Sequence, residues 1–431
     1  MFKDFVQKRL ENYVKKYFAA HPDVKLIVVT GSVGKTSTKR AVGEVLSSKY
    51  RIRMHGGNYN TEIAVPMAIL GIEYPKNIRN PLSWLKVFWA ARARVKAKSD
   101  VDIVVQELGS DHPGDVAAFG KYLKPDMALV TAVTPEHMEF FKTLDAVAKE
   151  ELSVADFSKM VLVNRDDIDG KYAAFDTNPN IFTYGSSPQA EYRALLVENS
   201  LRDGMKIEIG TIDWPKLYDA HVNLLGEHSL RPVAAAIGVA AKLGMQPNEI
   251  IDGLKRIRPI PGRMNPLRGI EDTTIIDDTY NSSPAAVKAA LQTLYSFDSE
   301  AQRIAILGSM NELGESSADE HRKVGELCNP DLLQWVVVVG ADAAKYLAPA
   351  AKARGCQVQV CLDAIEAAKF TRRVTEEGAV ILVKGSQGGI YLEEAVKLLC
   401  VMTEDHELVR QTPEWLDIKQ KYFDQIRDTK A

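Results

Sequence analysis

Hydrophobic and polar positions along this chain alternate between two rhythms. Runs with apolar centres at 25–30, 101–107, 127–133 and 160–164 read as buried strands. Between them, 36–48, 115–122 and 144–157 repeat apolar residues every three or four positions and read as helices. Unbroken apolar strands alternating with helices predict a parallel sheet covered on both faces. Residues 181–225 differ: short alternating runs such as GMKIEIGTI predict a small β-rich part, followed by helices at 228–243 and 247–256. The Pro- and Gly-rich stretch IRPIPGRMNPL (257–267) reads as a linker. Strands at 273–277, 303–308, 335–340 and 379–384, with helices between, then predict a second, Rossmann-like α/β domain. The polar tail after about residue 403 is expected to end in a helix. No short repeat runs through the chain.

Two segments stand outside this alternation. Residues 2–18 place Phe2, Phe5, Val6, Leu10, Tyr13, Val14, Tyr17 and Phe18 at helical spacing, with Lys and Arg on much of the other face. Residues 77–99 set Trp84, Leu85, Phe88 and Trp89 among Arg92, Arg94, Lys96 and Lys98. Each is expected to be a helix packed on its domain; contact with an anionic membrane, or for 77–99 with a membrane surface or a partner, is the alternative.

Composition narrows the class. The chain of 431 residues is 46% hydrophobic and 26% charged, which suits an ordinary globular protein of two or three domains. A formal net charge of −3 gives no bulk attraction to nucleic acid. Cys328, Cys356, Cys361 and Cys400 form no C-x-x-C pair, so neither disulfides nor a zinc site is expected and a reducing cytoplasm fits. The charged N-terminus is no signal peptide, and no apolar run is long enough to span a bilayer.

The candidate chemistry starts at LIVVTGSVGKTS (26–37). A buried strand ends at Thr30, and Gly31, Ser32, Val33 and Gly34 form a short loop. Lys35, Thr36 and Ser37 open a helix. Backbone N–H groups and the positive end of that helix would cradle phosphates. Lys35 would then face the β- and γ-phosphates, and the Thr36 hydroxyl would face Mg2+. The longer G-x-x-x-x-G-K-[ST] spacing fails, because Val29 stands where its first glycine would be. Glu107 ends the strand DIVVQELGS, and His137 follows MALVTAVTPEH. Parallel sheets bind ligands at the carboxyl ends of their strands, so both are expected beside the loop. Alternatively, Glu107 faces solvent and His137 is an ordinary hydrogen-bonded histidine.

These motifs come in an ordered set. The loop is followed by GNYNTEIAVPMAIL (57–70), which contains Asn60, then ELGSDHPGDV (107–116), His137 and VNRDD (163–167). GEHSLRPVAAAIGVA (226–240), PGRMNPL (261–267), IIDDTYNSSPAAVKAAL (275–291), GSMNELGESSADEHRKVG (308–325) and LVKGSQG (382–388) complete it. Over about residues 24–400 the chain resembles the Mur ligases, ATP-dependent amide-bond ligases of peptidoglycan synthesis. Within that family it is most similar to the type that adds D-Ala-D-Ala to a UDP-linked muramoyl tripeptide. The short loop T-G-x-x-G-K-[ST] is that family's own.

The spacing sets an N-terminal amphipathic helix at 1–24, and the resemblance implies a central ATP-binding domain at 25–262 and a C-terminal domain at 263–431. It implies ATP and Mg2+ as cofactors, with Thr36, Glu107 and His137 as metal ligands. Arg263 would reach the phosphates, Asp278 would bind the nucleotide ribose and Asn281 would lie near it. Asn60, Asn311, Glu312, His321, Lys384 and Ser386 would face the substrates, with domain closure bringing the C-terminal residues to the ATP site. For His321 a solvated role is equally open. Ser282, Ser283 and Pro284 also suit a helix start. The expected partners are a muramoyl-peptide acceptor and a D-Ala-D-Ala-like dipeptide, and a monomer is expected.

Three departures qualify the resemblance. Only 24 residues precede the first strand, where the family type carries a UDP-binding domain; a lipid-linked acceptor, a different peptide or another chain would compensate. The family's carbamylated lysine, which positions Mg2+, is replaced, on ungapped counting from His137, by Glu151, which would supply anionic oxygens to the metal without CO2. Lys149 is the competitor, about 200° around the same helix. Gln387 stands where the type often has Arg, and the family's H-N-x-x-N reads His228, Ser229, Leu230, Arg231, Pro232. A Mur-fold ligase for a different acceptor or polymer, or a non-catalytic nucleotide-binding subunit, are the competing readings.

Overall fold

A computed structural model describes residues 2–57, 59–75, 77–78, 80–135, 138–175, 178–297, 301–401 and 408–428. The chain divides into two compact units. One comprises residues 1–198, 206–222 and 228–257, and the other 199–205, 223–227 and 258–431.

The described residues of the first unit centre on a nine-stranded sheet, to which residues 199–200 and 204–205 of the other unit add strand ends. Its strands are β1 (Lys25–Thr30), β2 (Ile52–Met54), β3 (Ile103–Glu107), β4 (Met127–Val130), β5 (Val161–Asn164), β6 (Ile181–Gly185), β7 (Tyr192–Ser200), β8 (Gly204–Thr211) and β9 (Tyr218–Val222). They lie in the order β2-β3-β1-β4-β5-β6-β7-β8-β9. Pairings from β2 to β7 are parallel. β1 and β3 are central strands buried on both faces: every residue after Lys25 in β1 and all five residues of β3 are buried, with the polar Thr30, Gln106 and Glu107 at their carboxyl ends. The β-rich stretch is therefore no separate body, for β6 to β9 extend the same sheet. β2 was not anticipated: three half-buried residues carry no pattern long enough to read.

Four helices frame the site end of this unit: α1 (Phe2–Ala20), α2 (Lys35–Leu46), α3 (Ala64–Leu70) and α4 (Pro81–Lys96). α1 buries Val6, Leu10, Val14 and Tyr17, one per turn, as its spacing predicts. Val6 and Leu10 join Met67 of α3 and Trp84, Val87 and Phe88 of α4 in a satellite core. α4 starts where Asn80 accepts a bond from Leu82 N at 3.0 Å, with Pro81 in the first turn. The predicted helix at 144–157 is α-helical over Leu144–Leu152 and tightens into a 3-10 turn over Ser153–Phe157.

The second unit is built on β10 (Asn265–Arg268), β11 (Thr274–Asp278), β12 (Arg303–Gly308), β13 (Trp335–Val339), β14 (Val358–Cys361) and β15 (Val380–Lys384). Their order is β10-β11-β15-β12-β13-β14, with β10 antiparallel at one edge. Successive residues feed two cores. Ile276, Leu307, Val338 and Leu382 point to one face, and Ile275, Ile306, Val337 and Val383 to the other. The expected linker 257–267 is thus partly strand: Asn265–Leu267 pair with β11, and Pro266 is tolerated because the strand is an edge. The predicted helix start is present too, with Ser283 capping the helix Pro284–Ser296. No helix among the described residues is long and apolar enough to cross a membrane.

Candidate functional site

The carboxyl ends of β3, β1 and β4 lie side by side, because β1 sits between the other two. Register places Glu107 opposite Val29 and Thr30 opposite Val130. The loop from Gly31 leaves between them. Gly31 has φ 126°, and a Cβ there would lie 2.2 Å from Thr131 Oγ1, so only glycine fits. Gly34 is left-handed at φ 86° and opens α2, whose N-terminus no side chain caps. Thr131 donates its hydroxyl to Val33 O at 2.6 Å, and Ser32 N donates to Ala132 O at 3.0 Å. The loop is thereby fixed to the exit of β4. Asn164 supports that exit, donating to Thr131 O at 2.6 Å and to Asp167, which pairs with Arg231 at 2.8 Å.

Charged groups converge on this loop. The Lys35 ammonium donates to Gly31 O at 2.5 Å and Ser32 O at 3.1 Å, so it lies over the loop. The Thr36 hydroxyl donates to Glu107 at 3.1 Å. Glu107 is buried, not solvent-facing, and Lys39 one turn beyond Lys35 pairs with it at 3.3 Å. Lys39, itself buried, was missed in the sequence because a helical lysine ordinarily faces water. Its only signal is its place on the apolar face of α2, beside Val42.

Glu151 is also buried and bonds three ways. It accepts from Thr30 Oγ1 at 2.5 Å, Gly31 N at 2.7 Å and Ser110 Oγ at 2.5 Å. It therefore ties the base of the loop to the exit of β3. Lys149 is exposed on the other side of that helix. Its neighbour Glu150 is buried and accepts from Gly114 N and Val116 N, both at 2.7 Å. His137 lies outside the described residues. Among the described residues no three His, Cys, Asp or Glu side chains form a metal-holding group. The hard oxygen donors of Thr36 and Glu107 fit Mg2+, which keeps part of its shell for water and phosphate.

Asn60 lines a cavity of about 580 Å³ that Gly109 and Asp111, just past β3, also line. Its carbonyl accepts from Gly109 N at 2.9 Å. Tyr74, Trp84, Phe2 and Val6 supply apolar wall, and Asp111 and His112 polar lining.

In the second unit β11, β15 and β12 are adjacent, so their ends also meet. Lys384 is buried and donates to Asp278 at 2.7 Å and Asn281 O at 3.0 Å. Ser386 accepts from Asn311 N at 2.9 Å, and Asn311 donates to Gly388 O at 2.9 Å. Glu312 is exposed at φ 65°. Arg263 stacks on Tyr280 at 4.2 Å. His321 corrects an expectation. It is fully buried, accepts from Met310 N at 2.9 Å through Nε2, and bonds Ser317 O at 2.8 Å through Nδ1. With both nitrogens on backbone it is neither solvated nor facing a substrate; it fixes the turn that carries Asn311.

Asp277 beside this edge is fully buried and accepts from Gly262 N at 2.9 Å and Thr279 Oγ1 at 2.6 Å. Burial pushes its carboxyl up to about 6. The tail reaches the same loop. Arg410 holds Glu393 at 2.7 Å and donates to Thr279 O at 2.7 Å and Tyr280 O at 3.0 Å. Lys419, on the helix Pro413–Asp428, pairs with Glu393 and Glu394, and Tyr422 donates to Gly389 O.

A glycine loop under a lysine, an uncapped helix start and a buried strand-end acid define a nucleotide-binding α/β unit of the ATP- and Mg2+-using kind. The description "Mur ligase middle domain" matches residues 29–240, and "Mur ligase, glutamate ligase domain" matches 262–387. The chain belongs to the Mur ligase family, ATP-dependent enzymes that join a carboxylate to an amine. It is 28% identical over 380 residues to the UDP-N-acetylmuramoyl-tripeptide–D-alanyl-D-alanine ligase of Bacillus subtilis, covering 86% of this chain and 75% of that one. The Escherichia coli enzyme of the same name is 25% identical, covering 87% and 76%. In fold the chain is similar to MurF from Acinetobacter baumannii, with TM-score 0.73 at 23% identity, covering 90% of this chain and 79% of that one. MurF from Thermotoga maritima in complex with ADP gives 0.71 at 22%, covering 92% and 82%.

Proposed function

We propose that this chain forms an amide bond in peptidoglycan-precursor synthesis, joining the terminal carboxylate of a muramoyl-peptide acceptor to D-Ala-D-Ala or a similar amine. The named relatives in Bacillus subtilis and Escherichia coli support that substrate class. In the reaction a carboxylate oxygen takes the γ-phosphoryl group of ATP, giving an acyl phosphate and ADP. The amine nitrogen then attacks the carbonyl carbon, loses a proton, and phosphate leaves from the tetrahedral intermediate.

The physical difficulty is bringing two anions together. Lys35 and the N–H groups at the start of α2 supply positive potential where they meet. Thr36 and Glu107, with His137 added from the sequence, would hold Mg2+, which supplies further charge neutralisation. Glu151 would keep the loop in its phosphate-accepting shape, and its anionic oxygens would take the part of the family's carbamylated lysine. Arg263, Asp278 and Asn281 would serve the nucleotide, and Asn60, Asn311, Glu312, Lys384 and Ser386 the substrates. Lys384 would act through the loop it holds, since its ammonium is already engaged.

One observation carries this reading: Thr36 lies 3.1 Å from Glu107 beside a loop lysine. The test is phosphate release from ATP with UDP-linked, lipid-linked or free muramoyl peptides, each with and without D-Ala-D-Ala. Release that needs both acceptor and dipeptide is expected. Release indifferent to the dipeptide would overturn the proposal.

A further inference from the structure

Helix α4 is apolar on two sides. Trp84, Val87, Phe88 and Ala91 are buried. On the other side Leu82, Leu85 and Trp89 are 68%, 55% and 80% exposed. At 100° per residue these three fall with Lys86, Arg92 and Lys96 in one arc of about 120°, roughly opposite the buried four. α1 widens the patch: Phe5, half-exposed, meets Phe88 edge-on at 6.2 Å, and Arg9 covers both rings.

On α4 itself the charge has one sign, while the first turns of α1 carry Asp4 beside Lys3, Lys8 and Arg9. α4 contains Lys86, Arg92, Arg94 and Lys96 and no Asp or Glu. Arg94 is turned to Asp100 at 2.9 Å. Lys86, Arg92 and Lys96 are exposed and flank the apolar stripe. Lys76, Arg79 and Lys98 add charge of the same sign in the flanking sequence. An exposed tryptophan with leucines, edged by long basic side chains, suits a surface that is apolar below and anionic above. Leucine and indole enter the acyl boundary while lysine and arginine stems extend to phosphate groups.

We propose that the exposed side of α4, with the first turns of α1, is a docking surface for an anionic lipid bilayer. The helix lies in the plane of the interface and does not cross it. Its buried side faces the cavity through Trp84, so docking would hold that cavity close to the lipid. The excess of lysine and arginine along α4 complements the negative potential of an anionic leaflet.

The test is co-sedimentation of the full chain with vesicles of phosphatidylcholine alone or with about one-third phosphatidylglycerol. Binding should rise at least about ten-fold with the anionic lipid and fall when salt is raised several-fold. The double variant Leu85→Glu/Trp89→Glu should lose that binding, as should Lys86→Glu/Arg92→Glu. Both should keep the wild-type melting temperature and ATP turnover, since these side chains face solvent. Wild-type protein that ignores the anionic vesicles, or variants that bind them undiminished, would overturn the proposal. So would a wild-type dimer that Leu85→Glu/Trp89→Glu dissociates while no vesicle binding is seen, which would assign the face to a second copy.

Discussion

The two units build their strand-end edges from the same sheet type but by different means. In the first, the backbone forms the cradle: a glycine loop of four residues, fixed by Thr131, Ser32 and the buried Glu151, with Lys35 held over it by loop carbonyls. In the second, side chains are the device: a buried Lys384–Asp278 pair clamps the loop after β11, and Ser386 holds the turn after β12. In the backbone cradle the cation is half-buried and rests on loop carbonyls. A side-chain clamp uses its cation internally, so that function and stability rest on the same atoms.

That contrast is testable at Lys384. Lys384→Met leaves Asp278 and the Asn281 carbonyl without their buried cation and should cost about 3–5 kcal/mol of stability in chemical denaturation. Lys384→Met/Asp278→Asn should recover part of it, and a double variant no better than the single one would refute the clamp. At Lys35 the outcome should invert. Lys35→Ala should lower ATP turnover about 10²–10³-fold or more, equivalent to about 3–4 kcal/mol, with an unchanged melting temperature. A fall in both would erase the distinction between the two edges.

A third test uses pH. Asp277 has its carboxyl raised to about 6 from 3.8 by burial. The folded state therefore holds a proton that the unfolded chain releases earlier. Its contribution is full below about pH 4 and is lost as pH rises through 6, about 2–3 kcal/mol in all. Denaturation between pH 4.5 and 7.5 should show this decline in the second unit, and Asp277→Asn should flatten it. The smallest effect is expected at Glu151. Glu151→Gln should lower turnover about 10–100-fold, independent of dissolved CO2, whereas Lys149→Ala should change nothing. The reverse pattern would return the role to the lysine.

How much could be read in advance follows the same contrast. The first unit's loop was legible because Thr30 to Ser37 are contiguous and each carries its own local reason. Its central strands were legible because burial on both faces leaves each an unbroken apolar centre. Lys39 was not, because nothing local distinguishes a buried lysine from a solvated one until Glu107 is placed beside it. In the second unit Asp278 and Lys384 stand 106 positions apart, and their pairing follows only from β15 inserting between β11 and β12. His321 misled for a related reason: a histidine in a polar helix reads as exposed, and only the fold shows Met310 against its ring. β10 hid inside a Pro-rich stretch because an edge strand tolerates what a central one does not.

The ion network at Glu393 bears on how the protein can be cut apart. Glu393 is wholly enclosed, and its cations, Arg410 and Lys419, both come from beyond residue 387, where the matched C-terminal region stops. A fragment trimmed between 401 and 409 would keep the acid and discard both counter-ions, and with Arg410 it would release the Thr279–Tyr280 carbonyls. Workable dissections of the second half must therefore carry the final helix with them.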